Sequence, residues 1–191
     1  MKKYKEYILS DDDTILLDIL TTNSELILPD SVTKMAKNDY TLINLKSLIC
    51  PNVINIDART FDNSGLEYIS LPLITEIKDY TFNNCINLKS INIPNVEIIY
   101  NRAFFDCHSL EYIETPHLRI VYNGSFYNCH SLKYINAPLL SNIGYMAFYC
   151  CENLYYIKSE LNNEQIINSF TKSDYETYLM NNRDYKLKDY V

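Results

Sequence analysis

The 191-residue sequence predicts a β-rich solenoid of six to seven coils, each 21–22 residues long, closed by a cap at either end. Three ladders of residues predict it. All six prolines fall in one series, Pro29, Pro51, Pro72, Pro94, Pro116 and Pro138, spaced 22, 21, 22, 22 and 22 residues apart. Aromatic residues run in a second, Tyr40, Phe61, Phe82, Phe104, Phe126, Phe148 and, more faintly, Phe170. Cys85, Cys107, Cys129 and Cys151 make the third. Self-similarity at a fixed period of 20–50 residues is the mark of stacked repeats, in which each unit buries its apolar side only against its neighbours.

Aligned on the prolines, the unit reads Phe-x-x-Cys-x-x-Leu-x-x-Ile-x-x-Pro-x-Φ-x-x-Ile, with Φ aliphatic. Leu66, Leu88, Leu110, Leu132 and Leu154 fill one apolar column, and Ile69, Ile91, Ile113, Ile135 and Ile157 the next. After the proline come Val53, Ile74, Val96, Leu118 and Leu140, then Ile56, Ile77, Ile99, Val121 and Ile143. The segment before each proline, as in LKSINIP and LKYINAP, reads as one short strand per coil. Proline ends that strand because it has no N–H to give the next coil. The stretch into the aromatic residue, such as YNRAF or GYMAF, reads as a short extended piece and a helical turn. At the ~4.8 Å spacing of strands the stack would be roughly 30 Å long.

Residues 1–25 lack the period and are expected to form an N-terminal cap, leaving 26–158 as the solenoid. In 159–191, Glu160 stands where the next proline would fall, so this segment reads as a degenerate last coil and a helical cap. Ser173 and Glu176, three residues apart, have the form of a helix capping box.

The run Ala-Phe-x-x-Cys-x-x-Leu-x-x-Ile-x-x-Pro-x-x-x-x-Ile resembles the BspA-type leucine-rich repeat over about residues 26–158, most clearly from Phe82 to Ile157. Ala103-Phe104 and Ala147-Phe148 match its Ala-Phe pair, while Ser125-Phe126 and Thr81-Phe82 depart at the small residue. The first two coils lack the cysteine and are one residue shorter between aromatic and proline. The resemblance implies a right-handed leucine-rich-repeat solenoid and a binding role, often as an adhesin on cell surfaces.

Composition narrows the function. The net charge is −7, and neither 1–40, 41–158 nor 159–191 carries more basic than acidic residues. Direct nucleic-acid binding, which needs clustered Lys and Arg, is therefore not expected. No apolar run approaches the ~20 residues of a membrane-spanning helix. Asp11, Asp12 and Asp13 interrupt the place where a secretion signal would have its apolar centre, so the expected location is cytoplasmic.

Cys107-His108 and Cys129-His130 invite a metal or nucleophile reading. Cysteines 22 residues apart lie on different coils, in a line and not in the tetrahedron zinc requires. Catalysis would also need an activated nucleophile, an orienting partner and a pocket, none of which the spacing supplies. The expectation is thus no enzyme, no metal and no cofactor. The column of His108 and His130, with Ile86 and Glu152, still admits an adventitious metal or proton site. Disulfides between adjacent rungs stay geometrically open, for Cys50 and Cys150 as well.

Strand alternation turns two columns outward if Ile91 and Ile93 point in. One is Ser47, Tyr68, Ser90, Tyr112, Tyr134 and Tyr156; its neighbour is Ile49, Ser70, Asn92, Glu114, Asn136 and Lys158. Tyrosine offers large contact area with few rotors to freeze, which suits an interface, although it also stabilises sheets by itself. Tyr68, Tyr112, Tyr134, Tyr156, Glu114, Asn136 and Lys158 are accordingly the candidate partner-binding residues. The column Lys46, Glu67, Lys89, Glu111, Lys133 and Tyr155 alternates in sign and reads as register-fixing. Phe105, Tyr127 and Tyr149 form a second candidate patch. The leading functional expectation is a non-catalytic module that binds another protein through its sheet, in a narrower form as an inhibitor or decoy. The alternatives are an adhesin-type surface protein and, behind it, a metal or thiol enzyme.

Overall fold

The computed structural model describes residues 1–36, 44–159, 161–170 and 178. The chain opens with β1 (Lys2–Lys3), β2 (Tyr7–Leu9) and β3 (Ile15–Ile19), paired antiparallel in that order. From there each coil contributes two strands, where the sequence suggests one. A three-residue strand precedes the proline and a two-residue strand follows it. They are β4 (Glu25–Ile27) and β5 (Lys34–Met35), β6 (Ser47–Ile49) and β7 (Asn55–Ile56), then β8 (Tyr68–Ser70) and β9 (Glu76–Ile77). Next come β10 (Ser90–Asn92) and β11 (Ile98–Ile99), β12 (Tyr112–Glu114) and β13 (Ile120–Val121), β14 (Tyr134–Asn136) and β15 (Asn142–Ile143), and finally β16 (Tyr156–Lys158).

Longer strands pair in parallel as β4-β6-β8-β10 and β12-β14-β16, shorter ones as β3-β5-β7 and β9-β11-β13-β15. The non-repeat N-terminal segment therefore ends as a rung of the short-strand sheet, with Leu16 opposite Met35. In each long strand the middle residue is buried and forms the isoleucine column anticipated above.

Among the described residues the third side of the coils contains no helix. Two residues four apart adopt left-handed φ between 52° and 62°: Arg59 and Asn63, Tyr80 and Asn84, Arg102 and Asp106, Gly124 and Asn128, Met146 and Cys150. Asn and Asp tolerate this region through short polar side chains. Arg59, Tyr80, Arg102 and Met146 are held there by the hydrogen bonds the conformation permits. Arg102 N, Phe104 N and Asp106 N donate to the next coil's Asn123, Ser125 and Tyr127 carbonyls at 3.1, 2.8 and 2.9 Å. The N–H groups between them, of Ala103, Phe105 and Cys107, close turns inside their own coil. A chain of turns thus makes an inter-coil ladder, which no helix-or-strand reading anticipates.

Behind this ladder Phe61, Phe82, Phe104, Phe126 and Phe148 are fully buried and stacked, with ring centres 5.1–5.5 Å apart. Phe170 continues the stack at 5.6 Å, tilted by 42°, so a seventh coil is present in the side-chain ladder. Each cysteine has a defined task. Cys85, Cys107, Cys129 and Cys151 donate their thiols to the carbonyls of Phe61, Phe82, Phe104 and Phe126 at 3.0–3.1 Å. Ser64, in a shorter coil, places its hydroxyl 3.2 Å from the Cys85 sulfur. None of the six cysteines forms a disulfide.

The solenoid closes with α1 (Asn163–Ile167), capped by Asn162. Asn162 Oδ1 accepts from Gln165 N, and Gln165 Oε1 from Asn162 N, both at 3.0 Å, which satisfies two otherwise orphaned donors. The capping box read at Ser173–Glu176 lies outside the described residues, as does Tyr40. No helix among the described residues is long and apolar enough to cross a membrane.

Candidate binding surfaces

The long-strand sheet carries the tyrosine column where alternation places it. Tyr112, Tyr134 and Tyr156 stand opposite one another in register, as do Glu114, Asn136 and Lys158. Tyr68 is paired with Ser47 and Ser90 and stands apart from the other three. The Tyr134 and Tyr156 rings stack at 5.5 Å and 8°. Tyr112 is the most exposed of the column at 46%, with Lys133 Nζ 5.6 Å from its ring centre. Asn136 Nδ2 donates to Glu114 Oε2 at 3.0 Å, and no carboxylate among the described residues pairs with Lys158. The arrangement offers three phenol groups, a carboxylate and an ammonium on one face. That mixture of flat apolar area and hydrogen-bonding tips suits a polypeptide partner.

Beside it the alternating charges pair as expected. Glu67 receives Lys46 and Lys89 at 2.6 Å each, and hydrogen bonds from both hold its carboxyl at about 2. Lys133 reaches Glu111 at 2.7 Å and lowers its pKa in the same way. Among the described residues no bridge joins Lys89 to Glu111. The sheet itself parts there, between β10 and β12, although Glu111 N still reaches the Lys89 carbonyl at 3.3 Å. At this rung the buried column following the strand changes from Leu71 and Ile93 to Thr115 and Ala137. The Thr115 hydroxyl is buried without a hydrogen-bond partner. The change from bulky to small residues in this column coincides with the parting of the strands.

The turn side carries the second patch. Phe105, Tyr127 and Tyr149 stack at 4.8 and 4.7 Å, tighter than the sheet tyrosines. Tyr100 and Tyr122, which sequence reasoning passed over, stack at 5.2 Å and 4°. Between Arg102 and Met146 the column has only Gly124, and a notch of about 370 Å³ opens there, bordered also by Asn123 and Tyr145. The signal for it was a glycine in a column whose other members are Arg59, Tyr80, Arg102 and Met146.

The cysteine and histidine columns run side by side along the turns. His108 and His130 lie 5.1 Å apart, and His130 Nδ1 is 2.8 Å from Glu152 Oε2. His108 Nε2 is 3.7 Å from Asp106 Oδ1. Among the described residues no group of three or more His, Cys, Asp or Glu side chains is placed to hold a metal ion. Burial pushes the thiols of Cys50, Cys107 and Cys129 up, away from the thiolate a nucleophile needs, whereas at Cys85 burial is outweighed by hydrogen bonds from Cys107 and Ser64, which lower it. His117 lies on the surface, its Nδ1 3.2 Å from the Pro94 carbonyl.

The repeat unit, the paired strands and the aromatic and cysteine ladders agree with what comparison of sequences finds. The family model "BspA type Leucine rich repeat region" matches in six copies, across residues 20–119 and 75–190. The chain belongs to the BspA-type leucine-rich repeat family. Among solved structures it is similar to a leucine-rich repeat protein from Bacteroides ovatus, with 25% identity and a TM-score of 0.66 over 78% of this chain and 40% of that one. It is also similar to a leucine-rich cell surface protein from Faecalibacterium prausnitzii, with 20% identity and a TM-score of 0.62 over 85% of this chain and 55% of that one. A T. pallidum leucine-rich repeat protein aligns at 21% identity and a TM-score of 0.55, over 80% of this chain and 67% of that one. This BspA-type chain therefore spans less than half the length of the B. ovatus protein. Among curated proteins, none matches it.

Proposed function

We propose that this BspA-type repeat protein is a non-catalytic module that binds another protein through its long-strand sheet. The observation that carries the reading is the column Tyr112, Tyr134 and Tyr156, held in register by parallel pairing and flanked by Glu114, Asn136 and Lys158. Rungs fixed by backbone bonds present these rings with little entropy left to lose on binding. Tyr68, two coils away across the seam, belongs to the edge of such a surface. The test is affinity capture from source-cell lysate with the wild-type protein and with Tyr112→Ser/Tyr134→Ser/Tyr156→Ser. Serine already occupies this column at Ser47 and Ser90, and circular dichroism checks the fold. A partner held by the wild type and released by the variant supports the reading; equal retention removes it.

A narrower form is action as a cytoplasmic inhibitor or decoy that covers a basic surface of its partner, motivated by the net charge of −7. It requires that the captured partner lose its own activity when the module is added. The second reading, an adhesin-type surface protein, draws on the likeness to the F. prausnitzii cell surface protein. Cell fractionation separates them, since recovery only from the cytosol removes the surface role.

A further inference from the structure

We propose that the notch at Gly124 is a binding site for an acidic side chain flanked by apolar residues on a partner polypeptide. This extends the protein-binding reading to the turn side of the solenoid, away from the tyrosine column. From residue 44 to 159, every basic side chain except Arg102 and Lys158 lies within 4.0 Å of a carboxylate. Arg102 has no carboxylate among the described residues. Its guanidinium sits 5.8 Å from the Tyr80 ring centre and 5.6 Å from that of Phe105, and Nη1 donates to the Tyr80 hydroxyl at 3.2 Å. Two rings and one phenol oxygen orient this cation and leave most of its five donors unspent.

The notch beside it exists because one side chain is missing. Gly124 takes φ +60 in a column of left-handed residues that otherwise carry side chains. Its absent Cβ opens the space between Arg102 and Met146, floored by the Phe105–Tyr127 stack. Phe105 and Tyr127 give the notch its apolar lining, with the Arg102 guanidinium 5.6 Å from the Phe105 ring centre. On the far rim a Cβ at Gly144 would come within 2.5 Å of Asn123 N. Glycine there permits the close approach in which Asn123 Oδ1 accepts from Tyr145 N at 2.8 Å. Tyr145 is thereby fixed on the rim, 63% exposed. A carboxylate takes the planar fork of Arg102 in bidentate fashion, while Met146 and Tyr145 receive the apolar neighbour.

The test is a two-dimensional amide NMR titration of the whole chain with acetyl-Leu-Glu-Leu-amide, against acetyl-Leu-Gln-Leu-amide. The expected result is saturable shifts at Arg102, Asn123, Gly124 and Met146 with the glutamate peptide, at least about tenfold weaker with the glutamine one. Gly124→Asn fills the notch without breaking the coil, since Asn tolerates positive φ and the added Cβ meets Arg102 Cγ at 3.5 Å and Tyr127 Cβ at 3.9 Å. Both this variant and Arg102→Gln are expected to lose the shifts while the rest of the spectrum stays in place. Equal response to the two peptides, or no saturable shift at the notch, overturns the proposal. Shifts confined to Tyr112, Tyr134 and Tyr156 would overturn it and leave the sheet-face reading standing.

Discussion

On the turn side of the solenoid, alternate backbone N–H groups reach the next coil without interruption from Arg59 to Phe148. The strand side is parted twice, between β7 and β9 and between β10 and β12. The turn side also packs the phenylalanine stack and receives the cysteine thiols, so backbone and core agree at every rung. The strand side combines charge pairs, exposed tyrosines and a seam over an unpartnered hydroxyl. The contrast shows that in this repeat the regular sheets are not the spine. Their outward columns are free to vary in chemistry because the turns and the rings behind them hold the coils together.

If that is right, damage to the spine outweighs damage to the face. Phe126→Ala removes a fully buried ring stacked between Phe104 and Phe148, and is expected to cost ~3–5 kcal/mol in urea unfolding. Tyr134→Ser on the sheet is expected to cost ~1 kcal/mol or less. Equal losses would mean that the sheet face is as much part of the frame as the ring stack.

Cys129 sharpens the comparison within the spine. Cys129→Ala removes the thiol donor to the Phe104 carbonyl, which keeps Cys107 N at 3.3 Å, and is expected to cost ~0.5–1.5 kcal/mol. Cys129→Ser keeps a donor, as Ser64 does in its own coil, and is expected to cost less. The reverse order in thermal melts would show that sulfur volume, not the hydrogen bond, accounts for the column. At the seam, Thr115→Val deletes the buried unpartnered hydroxyl at nearly constant volume and is expected to stabilise by ~1 kcal/mol.

The smallest effect belongs to the surface charges. Hydrogen bonds from Lys46 and Lys89 lower the Glu67 pKa from 4.5 to about 2. A depressed carboxylate adds stability above its unfolded pKa, and that stability is lost as pH falls through the folded value. The advantage of wild type over Glu67→Gln should therefore be complete above pH 4.5 and disappear towards pH 2. A difference in urea midpoints that does not change with pH would remove the ion pairs as its source.

The periods of proline, phenylalanine and cysteine made the coils legible because each ladder repeats a packing requirement. The outward tyrosines were legible for the same reason, since alternation about Ile113, Ile135 and Ile157 leaves them no other face. The turn ladder was not, because its left-handed residues are Arg, Tyr, Asp and Met as often as Asn or Gly. Residue type alone does not announce that conformation. The seam was hidden as well: it falls where the buried column changes from Ile93 to Thr115, and nothing in residue type alone announces a parting of strands there. Asn162 and Gln165 carry a capping signature three residues apart, of the same form as the pair Ser173 and Glu176, so spacing alone does not say which of the two starts a helix.

The most direct test of the sheet-face account is hydroxyl-radical footprinting of the tyrosines, alone and in complex with the captured partner. Free protein should be oxidised most readily at Tyr112 and Tyr145, the most exposed rings of the two sides. The account predicts that the partner protects Tyr112, Tyr134 and Tyr156 together. Protection of turn-side tyrosines alone, with Tyr112 as reactive as before, would contradict it.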